Sequence, residues 1–137
     1  MRGLPYSGKS TRARELAGDT GRIHSANDYF MVDGVYRYCG GQVRRLHQEN
    51  QAAFKNSIEE GTPVVILDNC HTKIWQFKES FEFASNLGYG VEIVAMPHYP
   101  GIAAFRKTNW RNIPHQDFMR MYDNFENFTV PVSLTNR

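Results

Sequence analysis

The spacing Gly3-Leu4-Pro5-Tyr6-Ser7-Gly8-Lys9-Ser10-Thr11 at the head of the chain constrains the fold more than anything that follows it. Two glycines bracket four residues, so the backbone can curl until its N–H groups converge, an arrangement that cradles phosphate oxygens. The next residues read as a helix. Ala13, Leu16 and Ala17 fall on one face of Lys9–Ala17, Arg12, Arg14 and Glu15 fall elsewhere, and Gly18 stops the turn. A helix N-terminus adds its dipole to the amide cradle. Lys9 is expected to reach the outer phosphates as a point charge, and Ser10 to offer its hydroxyl to Mg²⁺. Gly3, Pro5, Tyr6, Ser7, Gly8 and Thr11 complete the nucleotide-binding set.

Beyond the loop, apolar runs alternate between two periods. Arg22 to Ser25 reads as a short strand ending at Asn27 and Asp28, and Val32 to Gly41 carries turn signals at Asp33-Gly34 and Gly40-Gly41. From Gln42 to Glu60, Val43, Leu46, Ala53, Phe54 and Ile58 recur at helical steps. Pro63 to Leu67 is a continuous β-branched run, expected of a strand buried on both faces, and it closes at Asp68-Asn69. Lys73 to Leu87 is helical through Ile74, Phe77, Phe81 and Ala84, Val91 to Met96 is a further strand, and Gln116 to Phe128 is a last helix after Pro114. This alternation predicts a three-layer α/β domain with a mostly parallel sheet, in which ligands bind at the carboxyl ends of the strands. Only Met1, Arg2 and Leu4 are available around the loop entry, so the first strand is expected to be short.

The chain has 137 residues, room for one domain: a phosphate loop at 3–10, a lid at about 101–114, and a C-terminal helix and tail at 115–137. With 41% hydrophobic and 22% charged residues it should bury a core. It has no membrane-length apolar run and no signal-peptide pattern, so a soluble, cytoplasmic protein is expected, with no obligate protein partner. The net charge of +2 is too small to identify a nucleic-acid partner in bulk, although eleven Arg against five Lys suits phosphate recognition. Cys39 and Cys70 form no CxxC pair and read as free thiols, and the five histidines show no metal spacing, with His47 a surface or packing residue. Thr129 to Leu134 could form an edge strand.

Further residues bear chemistry by position. Asp68 closes an apolar strand, where a carboxylate holds Mg²⁺ or its water shell; the competing role is a cap for the next helix. Asn69 could orient the same shell. Asp28, at the end of the second strand, is the candidate to accept the proton of an attacking hydroxyl, against a plain turn or cap role. Phe105 to Pro114 gathers Arg106, Lys107 and Arg111 around Trp110, the make-up of a basic lid that steadies transferring phosphate, with Arg111 and Arg106 as the phosphate candidates. Arg37, Arg44 and Arg45 beside Tyr36 and Tyr38 combine cations with stacking surfaces, but a solvated face is the leading reading there.

With these residues in place, the chain resembles the small P-loop kinases related to the 5′-kinase domain of polynucleotide kinases. The resemblance rests on RGLPYSGKST, NDYFMVDGVYRY, PVVILDN and FRKTNWRNIPHQDFMRMYDNF, which span nearly the whole chain in the family's order. It implies an adenylate-kinase-like P-loop sheet and phosphorylation of hydroxyls, often those of nucleic acid. By position Lys9 and Ser10 match the phosphate loop, Asp68 the strand-end aspartate and Arg111 a lid arginine. Members commonly show Asp-Asp-Tyr where this chain has Asn27-Asp28-Tyr29, so strict alignment sets Asn27 at the proton-acceptor position. The resemblance extends to virus-encoded relatives that phosphorylate 5-hydroxymethyluracil in DNA, a base-modification step. No phosphatase signature of the D-x-D-G-T kind occurs.

The expectation is therefore an ATP- and Mg²⁺-dependent kinase acting on a hydroxyl of a nucleic acid, a 5′ end or 5-hydroxymethyluracil in DNA. The alternatives are a small-molecule or nucleoside kinase, and a nucleotide-binding module without transfer activity.

Overall fold

The computed structural model describes residues 1–33, 35–36 and 40–127. Lys9–Ala17 is helical as its spacing predicts (α1). It starts from Gly8, whose φ of 90° only glycine adopts freely, and ends at Gly18. Ala13 and Ala17 are buried on its inner face, whereas Leu16 stands exposed. Strand β1 (Arg22–His24) follows, then a 3-10 turn at Ala26–Phe30. Two two-residue strands, β2 (Met31–Val32) and β3 (Val35–Tyr36), pair antiparallel around the Asp33-Gly34 turn signal. The long helix α2 (Val43–Glu59) leads to β4 (Val65–Leu67), and α3 (Trp75–Asn86), α4 (His98–Lys107) and α5 (His115–Asp123) complete the described elements.

β1 and β4 pair in parallel, Arg22 with Val65, Ile23 with Ile66 and His24 with Leu67. A strand's side chains alternate between faces, and the core divides accordingly. Ile66 packs with Ala13 and Ala17 of α1, while Leu67 joins Phe54 and Ile58 of α2 and Ala84 of α3. Polar groups on the inner side of α2 are matched to β1: Ser57 Oγ meets His24 Nε2 at 2.8 Å, and Asn50 Nδ2 donates to the His24 carbonyl at 3.4 Å.

The expected three-layer domain around a mostly parallel sheet is corrected here. Among the described residues there are five α-helices, one two-stranded parallel sheet and one two-stranded hairpin. The Val91 to Met96 run does not form a strand; a single parallel bridge joins Ala95 to Arg2. Arg2 pairs with it only because its N–H donates to Val94 and its carbonyl accepts from Met96, both at 2.8 Å. Gly3 then leaves that ladder and donates to the Cys70 carbonyl at 3.0 Å. Residues 1–3 thus bridge the end of β4 and the Val91 to Met96 run, the Met1 ammonium donating to the Leu67 carbonyl at 2.9 Å, and a cavity of about 290 Å³ has Leu67, Phe54, Phe81 and Tyr89 among its lining residues.

Two helix assignments also change. Residues 98–107 are helical, so the front of the lid expected at about 101–114 lies inside a helix, with Pro100 in its first turn where the missing N–H costs nothing. The last helix is His115–Asp123, shorter than the Gln116 to Phe128 expected. α4 and α5 are joined by Phe105 stacked on Phe118, ring centroids 4.1 Å apart, and Phe118 is wholly buried. No helix among the described residues is long and apolar enough to cross a membrane. Arg37, Tyr38, Cys39, Phe128 and Thr129 to Leu134 lie outside the described residues.

Truncating a fully buried phenylalanine costs about 3–5 kcal/mol. Phe118→Ala should therefore lower the free energy of denaturant-induced unfolding by that amount, and a loss below about 1 kcal/mol would mean that α5 does not close the core against α4.

Candidate functional site

The parallel pairing of β1 and β4 sends both carboxyl ends out on the same side. Asp68 comes directly after β4, and its N–H donates to the His24 carbonyl at 2.9 Å, extending the ladder by one step. Its side chain is buried. Oδ2 accepts the Ser10 hydroxyl at 3.2 Å, from the first turn of α1. Oδ1 is buried with no hydrogen-bond partner among the described residues. A carboxylate oxygen so placed is costly unless something else is to bind it.

The loop itself is closely built. A Cβ on Gly3 would come 2.7 Å from Ser7 Oγ and 3.0 Å from Met96 Cβ, so glycine is needed there. Tyr6 and Gly8 both take positive φ, 67° and 90°, which turns successive N–H groups the same way. Leu4, Pro5 and Ser7 are buried, and Gly101 of α4 packs so near the Pro5 carbonyl that a Cβ there would lie at 2.9 Å. Ser7 Oγ is a second buried polar atom with no partner among the described residues. Lys9 Nζ is held inside, donating to the Leu4 carbonyl at 3.1 Å and lying 3.9 Å from Cys70 Sγ. Thr11 differs: it is exposed, and its hydroxyl accepts from Arg14 at 3.3 Å.

Asn69 has a partner other than a metal shell. Its Oδ1 accepts the Ala26 N–H at 3.0 Å, and its Nδ2 lies 3.5 Å from His71 Nε2. His71 Nδ1 in turn donates to the Met1 carbonyl at 2.7 Å. Burial pushes the His71 imidazole down to about 3, so it stays neutral and the relay keeps one tautomer. Arg2, which the sequence offers only as part of the short entry to the loop, anchors the same region. Buried between the rings of Phe77 and Phe125, at 4.8 and 4.4 Å, it donates to the carbonyls of His71 at 2.8 Å, Thr72 at 3.3 Å and Glu126 at 2.6 Å. An arginine directly before the first loop glycine was its only sequence signal.

Asp28 sits in the 3-10 turn after β1, exposed at the mouth. Partial burial and the like charge of Asp68 raise its carboxyl above the usual range, while the Arg111 guanidinium pulls it back. Asp28, Asp68 and Arg111 thus share one electrostatic neighbourhood. Arg111 reaches it from the segment after α4: its guanidinium lies 5.6 Å from the Tyr6 ring and 4.7 Å from the Trp110 ring, and its N–H donates to Tyr6 Oη at 3.0 Å. Arg106 is placed elsewhere, exposed on α4 and lining a cavity of about 230 Å³ with Phe105, Phe118 and Tyr122. Arg44 and Arg45 are exposed on α2, with Arg45 3.8 Å from Glu49, as the solvated-face reading expects.

Among the described residues no cluster of three His, Cys, Asp or Glu side chains forms a metal cage. Mg²⁺ seldom needs one; it is commonly held by one or two carboxylates with substrate phosphates and water. The Ser10 hydroxyl beside a half-satisfied Asp68 carboxylate fits that donor set, and the partnerless Ser7 hydroxyl fits a loop that receives an anion.

No family model matches the chain. It is 29% identical over 141 residues to NEDD4-binding protein 2 of Homo sapiens, an alignment covering 99% of this chain and 8% of that protein's length.

The raised Asp28 carboxyl has a consequence for stability. A carboxyl whose folded pKa lies above its unfolded value binds more protons when folded, so its contribution weakens as pH rises through that window. Asp28→Asn should leave the melting temperature at neutral pH equal to or above that of the unaltered protein, with the difference shrinking as the pH falls through the folded pKa and vanishing only below the unfolded value of 3.8. A lower melting temperature at neutral pH would mean that Asp28 makes a stabilising contact instead.

Proposed function

We propose that the chain is an ATP- and Mg²⁺-dependent phosphotransferase that moves the γ-phosphate to a hydroxyl of a nucleic acid, resembling the P-loop polynucleotide kinases. The observation that carries the reading is the contact of Ser10 Oγ with Asp68 Oδ2 at 3.2 Å, with the second Asp68 oxygen buried and without a partner among the described residues. Two motifs separated by 57 intervening residues, each chosen by its own chemistry, meet at hydrogen-bonding distance.

On this reading the loop amides from Tyr6 to Ser10 and the Lys9 ammonium bind the phosphates of ATP. Ser10 and Asp68 would hold Mg²⁺, which when bound neutralises phosphate charge. Asp28 accepts the proton of the attacking hydroxyl, a role suited to a carboxyl whose basicity is raised by its surroundings. Arg111, whose charge is felt at Asp28, serves as the cation for charge on the transferring group. Arg106, on the far side of α4, has no part in this set. Asn27 is an amide and a poor proton acceptor, which is what favours the second reading, nucleotide binding without transfer.

Incubation with γ-labelled ATP, Mg²⁺ and a panel of 5′-hydroxyl oligonucleotides, 5-hydroxymethyluracil DNA and nucleosides tests the proposal. Label should appear in a nucleic acid, and acceptor binding should weaken steeply with added salt, as phosphate contacts require. Label confined to nucleosides would establish the small-molecule alternative, and ATP bound with no acceptor labelled would sink the kinase reading. Lys9→Ala should cut transfer by about 100-fold or more. Asp28→Asn should cut it by roughly the 10²–10⁴-fold of a general base while ATP affinity holds; undiminished transfer would move the role elsewhere.

A further inference from the structure

Two tryptophans occur in the chain, and Trp110 is 55% exposed although it is rigidly seated. Its ring lies 6.2 Å from that of Tyr6, tilted by 57°, with the Arg111 guanidinium 4.7 Å from its centroid. The turn that carries it is pinned to the phosphate loop. Tyr6 Oη donates to Asn109 Oδ1 at 2.8 Å and accepts the Arg111 N–H at 3.0 Å. Asn109 Oδ1 also takes the Ile113 N–H at 3.0 Å, and Asn109 Nδ2 donates to the Ile113 carbonyl at 2.9 Å. Asn109 and Asn112 both accept positive φ, 33° and 55°, so the backbone is bent to keep this arrangement.

A large apolar ring kept in water by a fixed backbone has already lost its entropy and still has surface to bury, as aromatic anchors of binding sites do. Its neighbours narrow the ligand. Tyr6 belongs to the phosphate loop and Arg111 is a cation next to it, so whatever covers Trp110 lies beside a phosphate site and presents a flat face. We infer that Trp110, braced by Tyr6 and Arg111, is the stacking platform for the nucleobase of the nucleotide whose phosphates occupy the loop. This rests on the phosphate-loop reading above and adds to it where the base lies. Stacking reads a π-face and few edges, so the platform tolerates different bases.

The experiment uses the full chain carrying Trp75→Phe, which leaves Trp110 as the only tryptophan; Trp75 is an exposed residue at the start of α3. Mg-ATP and Mg-GTP should both quench its fluorescence, and tripolyphosphate should bind without doing so. In the unaltered background, Trp110→Ala should weaken ATP binding by about tenfold or more, the scale of one lost base stack, while tripolyphosphate affinity stays within about twofold. Trp110→Phe should restore most of the loss, and far-UV circular dichroism checks that both variants fold. Equal losses for ATP and tripolyphosphate, or no loss for either, would overturn the platform. A loss confined to a 5′-hydroxyl oligonucleotide would overturn the donor assignment and give the ring to the acceptor. Failure of tripolyphosphate to bind the unaltered protein would be a different result, removing the loop reading and the platform with it.

Discussion

A guanidinium taken out of water must find an acceptor for each donor it buries, and in this chain that demand falls one residue before the glycine-bracketed loop that begins at Gly3. Arg2 meets it with three backbone carbonyls, those of His71, Thr72 and Glu126, and with the faces of Phe77 and Phe125. Each acceptor belongs to a segment with no regular ladder of its own. Arg2 therefore fixes the turn after Asp68, the start of α3 and the chain beyond α5 relative to Gly3 at once. His71 reinforces the same join from the other side, passing a hydrogen bond from Asn69 to the Met1 carbonyl as a neutral ring. Because the sheet here is two strands wide, this polar hub supplies much of the alignment that a wider sheet would otherwise give the loop.

The site divides its charges along that alignment. Lys9 is inside the loop on the Leu4 carbonyl, and Asp68 is at the strand end on Ser10. Asp28 and Arg111 are linked electrostatically, the guanidinium pulling the raised Asp28 carboxyl back down. The buried members, Lys9 and Asp68, come from α1 and the end of β4, exposed Asp28 comes from the 3-10 turn, and half-buried Arg111 comes from the turn after α4. Tyr6 connects the two halves, since it is part of the loop by sequence and holds Asn109 and Arg111 by its hydroxyl.

What could be read from the sequence follows the range of the interactions involved. α1 begins and ends where its glycines say, and α2 lies within one residue of its periodic pattern, because caps and apolar spacing are local. Asp68 and Ser10 were recognisable for the same reason, each carrying its own short signature. The Val91 to Met96 run has the composition of a strand, but a strand is a pairing, and composition does not reveal that Arg2 leaves the ladder after one residue. α4 was hidden beneath its own charges: Arg106 and Lys107 suggested a lid, while its structural reason is the stack of Phe105 on Phe118 in another helix. Arg2, His71 and the Tyr6 hydroxyl were illegible because their partners lie about 70 to more than 100 residues away.

The exchange of Asp for Asn at position 27 is best weighed through its neighbour. An amide oxygen is too weak a base to take a hydroxyl's proton, so on the proposed reading the proton must go to a carboxylate in the same turn. Asp28 is that carboxylate, and its surroundings work in the useful direction: partial burial and Asp68 make it a stronger base than a free aspartate. The same two causes disfavour the ionised form that must accept the proton. Arg111 opposes the shift, and Arg111 is positioned by the turn that Tyr6 pins to the loop. The strength of the base and the seating of the lid segment are therefore coupled through one guanidinium. A chain that releases that turn loses the cation that counters the rise of the Asp28 carboxyl, which on the proposed reading is also the cation for the transferring phosphate.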